Sequence, residues 1–161
     1  SMLSAKLICV GRLREKFYIE AFAEYTKRLS PYCRFECTEL PEVRLPDRPS
    51  EAEITAALDK EADLVVKSIP QGSYLVALCV EGRKLPSEDL AKVVRSRENS
   101  GRPRLCFVIG SSYGLSDRIK RSADLCLSMS DMTFPHHLAR VMLIEQIYRS
   151  FKINEGSSYH K

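Results

Sequence analysis

The stretch RLCFVIGSSYGLS, residues 104–116, predicts the fold class of this chain. Arg104–Ile109 is a continuous apolar run, which is typical of a strand buried on both faces of a sheet. Gly110 and Gly114 then bracket a turn, and Ser116 is a suitable cap for a short helix. A buried strand that leads through a tight turn into a helix is typical of proteins with a parallel sheet.

The same alternation of strands and helices continues along the rest of the chain. Further strands are predicted at Lys6–Val10, in a weaker run around Phe35, Cys37 and Leu40, at Tyr74–Val80 and at Leu125–Met129. Helices are predicted at Glu15–Leu29, from a cap at Ser50 to about Lys67, from Ser87, from Ser116 through Arg121, and from Pro135 onward. We therefore predict one domain over residues 1–161, of the α/β class, with a mainly parallel sheet flanked by helices.

Length and composition exclude several classes of protein. The chain has 161 residues, of which 44% are apolar and 29% are charged, as in an ordinary globular domain and unlike disordered, collagen-like or low-complexity chains. Its apolar runs are far shorter than the roughly 18 residues that cross a bilayer, so we expect no membrane association. Ser1 precedes a natural-looking start at Met2, and no basic stretch leads into a long apolar region with a small-residue cleavage site. We expect Ser1 to be a cloning remnant and the protein to be cytoplasmic.

The charge is unevenly distributed between the two halves of the chain. The formal net charge is +4, but residues 1–80 carry 11 basic and 12 acidic groups, whereas residues 81–161 carry 14 and 9. A basic second half fits either a solvated surface or an RNA-binding face, and charge alone leaves both open.

The six cysteines predict neither disulfides nor a metal site. Four of them, Cys9, Cys79, Cys106 and Cys126, lie inside apolar runs, where a reduced cysteine packs as a small hydrophobic side chain. Cys33 and Cys37 form a single C-x3-C pair with no second pair and no nearby histidine. We therefore expect no metal.

Ligands of parallel α/β sheets bind beyond the carboxyl ends of the strands, which points to three loops. These are Glu81-Gly82 after the third strand, Gly110–Gly114 after the fourth and Ser130–Pro135 after the fifth. Neither a P-loop nor a dinucleotide-binding glycine fingerprint is present, and no serine lies in a G-x-S-x-G motif. His136 and His137 fit either a solvent-facing helix start or a pocket wall.

Several short motifs become recognisable together because of their order and spacing. The chain closely resembles the ribosomal large-subunit pseudouridine N3-methyltransferases of the SPOUT superfamily, and the likeness extends from the Lys6 strand to Lys161. The motifs that carry it are Phe107-Val108-Ile109-Gly110, Gly114-Leu115-Ser116, Met132-Thr133-Phe134-Pro135-His136, Arg140-Val141, Glu145-Gln146-Ile147-Tyr148-Arg149 and Tyr159-His160-Lys161.

The resemblance implies a SPOUT fold with a carboxyl-terminal trefoil knot, a homodimer, and S-adenosylmethionine as methyl donor. It implies methylation of N3 of a pseudouridine in 23S rRNA of the assembled ribosome. It also implies that three loops hold the donor, largely by backbone groups, at Leu78, Gly110, Met129, Ser130, Asp131, Met132, Thr133 and Phe134. The chain departs from the family at Ser111, where a second glycine is usual, so we expect altered packing of that loop rather than loss of the site.

The terminal residues are the candidate catalytic groups. Histidine is the one side-chain type whose unperturbed pKa lies near neutrality, so His160 is the candidate for helping the N3 imide lose its proton, although water or the rRNA itself is an alternative. Tyr159 is the candidate for positioning the base, and Arg140 for holding phosphate or a developing negative charge. The structural alternative is that the tail only packs onto the dimer, whose interface we expect around Leu138, Met142 and Tyr148.

Two other functional classes remain open from the residues alone. One is a non-catalytic RNA-binding or ribosome-associated module, in which the basic half binds phosphates and the glycine loop is only a turn. The other is a nucleotide-dependent enzyme of flavodoxin-like shape, which would take up flavin or nucleotide.

Overall fold

A computed structural model describes residues 2–161 and has a single five-stranded sheet in which every strand pair is parallel, as the sequence predicted. The strand order is β2-β1-β4-β3-β5. The strands are β1 Ser4–Val10, β2 Arg34–Leu40, β3 Tyr74–Lys84, β4 Arg104–Ile109 and β5 Leu125–Ser128. The helices are α1 Lys16–Leu29, α2 Glu51–Ser68, α3 Ser87–Glu98, α4 Asp117–Ser122 and α5 His136–Asn154.

Helices cover both faces of the sheet and bury two hydrophobic cores. Helices α1, α3 and α5 pack on one face, over side chains such as Leu7 and Phe107. Helices α2 and α4 pack on the other face, over Ile8 and Val108. Because alternate residues of β1 and β4 enter different cores, both strands are buried on both sides, which explains their continuous apolar runs.

Strand β3 differs from its prediction in a way that bears on the site. It continues to Lys84 instead of ending at Val80, so Glu81-Gly82 lie within the strand and not in a loop after it. The longer strand has a local cause: Leu78 and Arg83 both pair in register with Leu127 of β5. The intervening residues therefore form an extended bulge, which a pattern of apolar residues does not reveal.

The helix boundaries follow the predicted signals closely. Ser50 and Glu53 form a capping box at the start of α2, and the Ser116 side chain accepts a hydrogen bond from the Arg118 N–H at the start of α4. Pro135 is the N-cap of α5 rather than its first helical residue, because its ψ of 137° is extended. The six cysteines are free thiols.

Helix α5 lies far from the strand that precedes it in the sequence. Strand β5 is at one edge of the sheet, yet α5 packs between α1 and α3, so residues 129–135 carry the chain back towards the centre. The trefoil knot implied by the resemblance stays a prediction.

A buried arginine fixes the start of α5 against the opposite half of the sheet. Arg140 is only 2% exposed, and its guanidinium donates to the Glu39 carboxylate at the end of β2 and to the Gly11 carbonyl after β1. Its Nε atom is buried without a hydrogen-bond partner in the described chain. Because a buried charge needs a partner, loss of Glu39 leaves this guanidinium poorly compensated.

We therefore expect Glu39→Gln to lower the free energy of unfolding by about 2 kcal/mol at pH 7, less than for a fully buried pair because Glu39 is partly exposed. Partial burial raises the pKa of Glu39, but the Leu13 N–H and Arg140 lower it overall. The stabilisation is thus present above the ordinary carboxyl pKa and is lost as the pH falls through the lowered value. Urea unfolding at pH 7 and at acidic pH measures both effects.

The matched control is Glu24→Gln, which removes an exposed carboxylate paired with Arg28 on α1. Equal unfolding free energies for the parent and Glu39→Gln at pH 7 would show that Arg140 does not depend on this partner.

Candidate active site

A cavity of about 610 Å³ opens at the carboxyl ends of the three strands on the β5 side of the sheet. Its walls are residues 78–81 of β3, residues 109–115 after β4 and most of residues 128–136 after β5. Lys120 of α4 and Ala139 of α5 complete the lining. The volume lies within the range of small-molecule sites, and the position is where parallel sheets bind ligands.

Most of the residues expected to hold a methyl donor meet in this cavity. Those that line it are Leu78, Gly110, Met129, Ser130, Met132, Thr133 and Phe134. Asp131 is not among the lining residues, since its exposed carboxylate accepts a hydrogen bond from the Lys84 ammonium at 2.6 Å. Lys84 thereby ties the end of β3 to the segment that follows β5.

Gly110 is required by a close approach of two backbone segments. A Cβ atom added at Gly110 would lie 2.1 Å from the carbonyl oxygen of Gly114, so any side chain here must displace backbone. Gly114 itself has a φ of +88°, and its N–H donates to the Ser111 carbonyl at 2.8 Å. The two glycines therefore close a tight turn that forms one wall of the cavity.

Ser111, the departure from the family pattern, is accommodated without a positive φ. The residue is 6% exposed, and its hydroxyl donates to the Glu61 carboxylate at 3.4 Å. Burial raises the pKa of Glu61. The Ser111 side chain, which a glycine would lack, thus packs against α2.

The charged side chains of the cavity wall form one ion pair. The Lys120 ammonium lies 2.5 Å from the Glu81 carboxylate. The hydrogen bond from Lys120 lowers the pKa of Glu81. Burial alone would lower the pKa of Lys120, but the Glu81 carboxylate outweighs burial, and the pKa of Lys120 is raised overall. Burial and the neighbouring His137 lower the pKa of His136, which favours a neutral ring in this wall.

The carboxyl-terminal tail lies against the helices of its own chain. The Tyr159 hydroxyl donates to Glu145 at 2.8 Å, and the Arg149 guanidinium stacks 4.9 Å from the Tyr159 ring centre. Burial and the Glu145 carboxylate raise the pKa of Tyr159, so it stays a neutral phenol. Neither Tyr159 nor His160 lines the cavity.

The contacts of His160 define its protonation pattern. Its Nδ1 atom lies 3.0 Å from Arg149, and its Nε2 atom lies 2.6 Å from the Glu88 carboxylate. Because a guanidinium can only donate, Nδ1 is the acceptor, and Nε2 carries the proton that is donated to Glu88. In this docked position the lone pair on Nδ1 already accepts a hydrogen bond from Arg149.

The tail and the cavity of one chain are well separated along α5. Arg149, which holds His160, is ten residues beyond Ala139 in the cavity wall, roughly 15 Å along the helix axis at 1.5 Å per residue. Arg140 is also absent from the cavity lining, because its guanidinium is bound to Glu39 and Gly11. The structure therefore brings all of the expected donor residues except Asp131 together, but it places the three candidate catalytic side chains elsewhere in the single chain.

The sequence did not reveal the partners of the tail or the place of Lys120 in the cavity wall. The spacing of Glu145 and Arg149, four residues apart on a helix, is a detectable signal for an ion pair, which lies at 2.7 Å in the structure. Glu88 and Lys120 carry no such signal, because their partners are distant in sequence.

Two further findings concern residues 2–161. Within this range, no helix has the length and apolar character needed to cross a membrane. No group of three or more His, Cys, Asp or Glu side chains in the same range is arranged to hold a metal ion.

Comparison with known proteins connects this site to a family. A family model described as "Predicted SPOUT methyltransferase" matches residues 3–160. The chain is 43% identical over 159 residues to "Ribosomal RNA large subunit methyltransferase H" of Streptococcus thermophilus, covering 99% of this chain and 100% of that protein. It is 45% identical over 155 residues to the protein of the same name from Acetivibrio thermocellus, covering 96% and 98%.

Solved structures agree on the fold. A probable methyltransferase from Bordetella pertussis superimposes with a TM-score of 0.60 at 15% identity, over 91% of this chain and 93% of that one. A probable methylase family protein from Haemophilus influenzae gives 0.53 at 13% identity, over 98% and 70%. The α/β architecture and the match over nearly the whole length together show that the chain belongs to the SPOUT methyltransferase family.

Proposed function

We propose that this chain uses S-adenosylmethionine to methylate N3 of a pseudouridine in 23S rRNA of the assembled ribosome, in the cytoplasm. The observation that carries the proposal is the cavity built from three strand ends, with Gly110 pressed against the Gly114 carbonyl. Relatives named for ribosomal RNA methylation match the full chain, which supports rRNA as the substrate. A net charge of only +4 gives a small enzyme little affinity for naked RNA, which favours a composite target such as the ribosome.

The residues present fit the donor. A cavity of about 610 Å³ with a mainly apolar lining suits a nucleoside attached to an amino acid, and the absence of a side chain at Gly110 lets the turn close beside it. Leu78, Gly110 and the segment Met129–Phe134 would hold the donor largely through backbone groups. When bound, S-adenosylmethionine supplies an electrophilic methyl group on a positively charged sulfur.

The remaining chemistry is removal of the imide proton, which we assign to His160. As the N3–methyl bond forms, the proton of N3 must pass to a base, and the ring can accept it only at Nδ1, since Nε2 already carries a proton. The Arg149 contact must therefore open in the reactive complex. Tyr159 would position the base. Arg140 stays bound to Glu39 and Gly11 and would act as a positioning residue that holds the start of α5 beside the cavity wall, without touching the RNA.

We further propose a symmetric homodimer in which the tail of one chain completes the cavity of the other. The separation of the docked tail from its own cavity, roughly 15 Å along α5, supports this arrangement. Leu138, Met142 and Tyr148 of α5 are each only partly buried within a single chain, which leaves part of each side chain available to a partner. A dimer would also enlarge the surface that surrounds donor and base.

Replacement of Gly110 by alanine is expected to weaken binding of S-adenosylhomocysteine by about tenfold or more. The added Cβ would overlap the Gly114 carbonyl, and overpacking of this kind costs about 1–3 kcal/mol. Isothermal titration calorimetry measures the change. Gly101→Ala is the matched control, because nothing lies within 4 Å of a Cβ there. Unchanged binding by Gly110→Ala would remove the 110–114 turn from the donor site.

Deletion of Ser157–Lys161 is expected to leave donor binding nearly intact and to reduce methyl transfer by roughly a hundredfold, as is typical when acid–base help is lost. The assay uses ribosomes that lack the modification and S-adenosylmethionine with a labelled methyl group. Transfer at the parental rate would make the tail structural.

A mixed dimer of the deleted chain and the Gly110→Ala chain tests whether the tail acts across the interface. Such a dimer pairs one intact cavity with one intact tail on different chains, so co-expression with two affinity tags should restore part of the activity. The assay uses a donor concentration too low to fill the Gly110→Ala cavity. If each tail served its own cavity, the purified mixed dimer would then be no more active than its parents.

A further inference from the structure

The bulge of β3 places one carboxylate in the wall of the cavity. At Gly82 the backbone of β3 closely approaches the backbone of β5. A Cβ at this position would lie only 2.6 Å from the Cys126 carbonyl oxygen, so the approach requires glycine. Glu81 lines the cavity next to this contact, and among the lining residues it is the only Asp or Glu.

Lys120 forms an ion pair with Glu81 but leaves much of the Glu81 side chain exposed. The two groups meet at 2.5 Å between β3 and α4, while the Glu81 side chain remains 62% exposed and the Lys120 side chain 27% exposed. An ammonium has three donors, and a carboxylate has about four acceptor positions, so one contact leaves capacity on both groups for a ligand. Both residues line the cavity, so this capacity lies where a ligand would bind.

The residues around Glu81 indicate which part of a ligand would donate hydrogen bonds to its carboxylate. The rest of the cavity lining is mainly apolar side chains, small residues and backbone, which suits a flat base and a thioether chain. A lone carboxylate in a nucleotide-binding site accepts hydrogen bonds from ribose hydroxyls, as in the dinucleotide-binding folds. Lys120, tethered to Glu81, keeps the carboxylate ionised and oriented.

We propose that Glu81 is the ribose-recognition residue of the donor site, binding the vicinal hydroxyls of the adenosyl group, and that Lys120 is its positioning residue. The assignment rests on the proposed function, since it concerns the same cavity. If the Glu81–Lys120 pair were only structural, it would contribute little to stability, as exposed ion pairs do, and its loss would not change the affinity for the ribose hydroxyls of a ligand.

The test compares S-adenosylhomocysteine with its 2′,3′-dideoxy analogue by isothermal titration calorimetry, in the parent chain and in Glu81→Ala. The parent should bind the ribose form about tenfold to a hundredfold more tightly, as expected for hydrogen bonds to a charged acceptor. Glu81→Ala should bind both compounds with similar, weak affinity. Lys120→Met should keep a reduced preference for the ribose form.

Glu24→Ala is the matched control, since Glu24 is also an exposed carboxylate in an ion pair but lies on α1 away from the cavity. It should keep the full preference for ribose, and circular dichroism melting checks that each variant is folded. An equal preference in the parent and in folded Glu81→Ala would overturn the assignment. A parent chain that binds neither compound would overturn the proposed function itself.

Discussion

The Arg140 guanidinium ties together parts of the molecule that are far apart in sequence. It is buried within α5, yet its partners are Glu39 at the end of β2 and the Gly11 carbonyl after β1. Since β5 lies at the other edge of the sheet, the chain must cross the strand ends between Ser128 and His136 for this contact to form. That crossing segment is one wall of the cavity, so the buried pair that anchors α5 also fixes the place where a ligand can bind.

The cavity relies on backbone shape more than on charged side chains. Gly110 and Gly82 each permit a backbone contact that a Cβ would block, one within the 110–114 turn and one between β3 and β5. Against these walls, Glu81 and Lys120 provide the main charges. A site of this kind suits a nucleoside-bearing methyl donor, while the groups proposed to act on the RNA base lie on the tail and would approach from a partner chain.

The sequence predicted the class of fold and pointed to most of the segments that line the cavity, because both depend on local signals. Continuous apolar runs such as Arg104–Ile109 indicated buried parallel strands, and the strand-end rule indicated the loops of the cavity. The bulge around Glu81 and the pairing of Arg140 with Glu39 escaped prediction, since each depends on register or contact between distant segments. The docked position of His160 escaped for the same reason: its partner Glu88 is 72 residues away.

The proposed reaction transfers a methyl group to N3 of a pseudouridine, so the decisive measurement is identification of the methylated nucleoside. Ribosomes from cells lacking the modification would be incubated with the protein and labelled S-adenosylmethionine, and the 23S rRNA digested for mass spectrometry. We expect label in 3-methylpseudouridine alone, with far less product from protein-free 23S rRNA. Label in another nucleoside, or equal product from naked rRNA and ribosomes, would contradict the proposal.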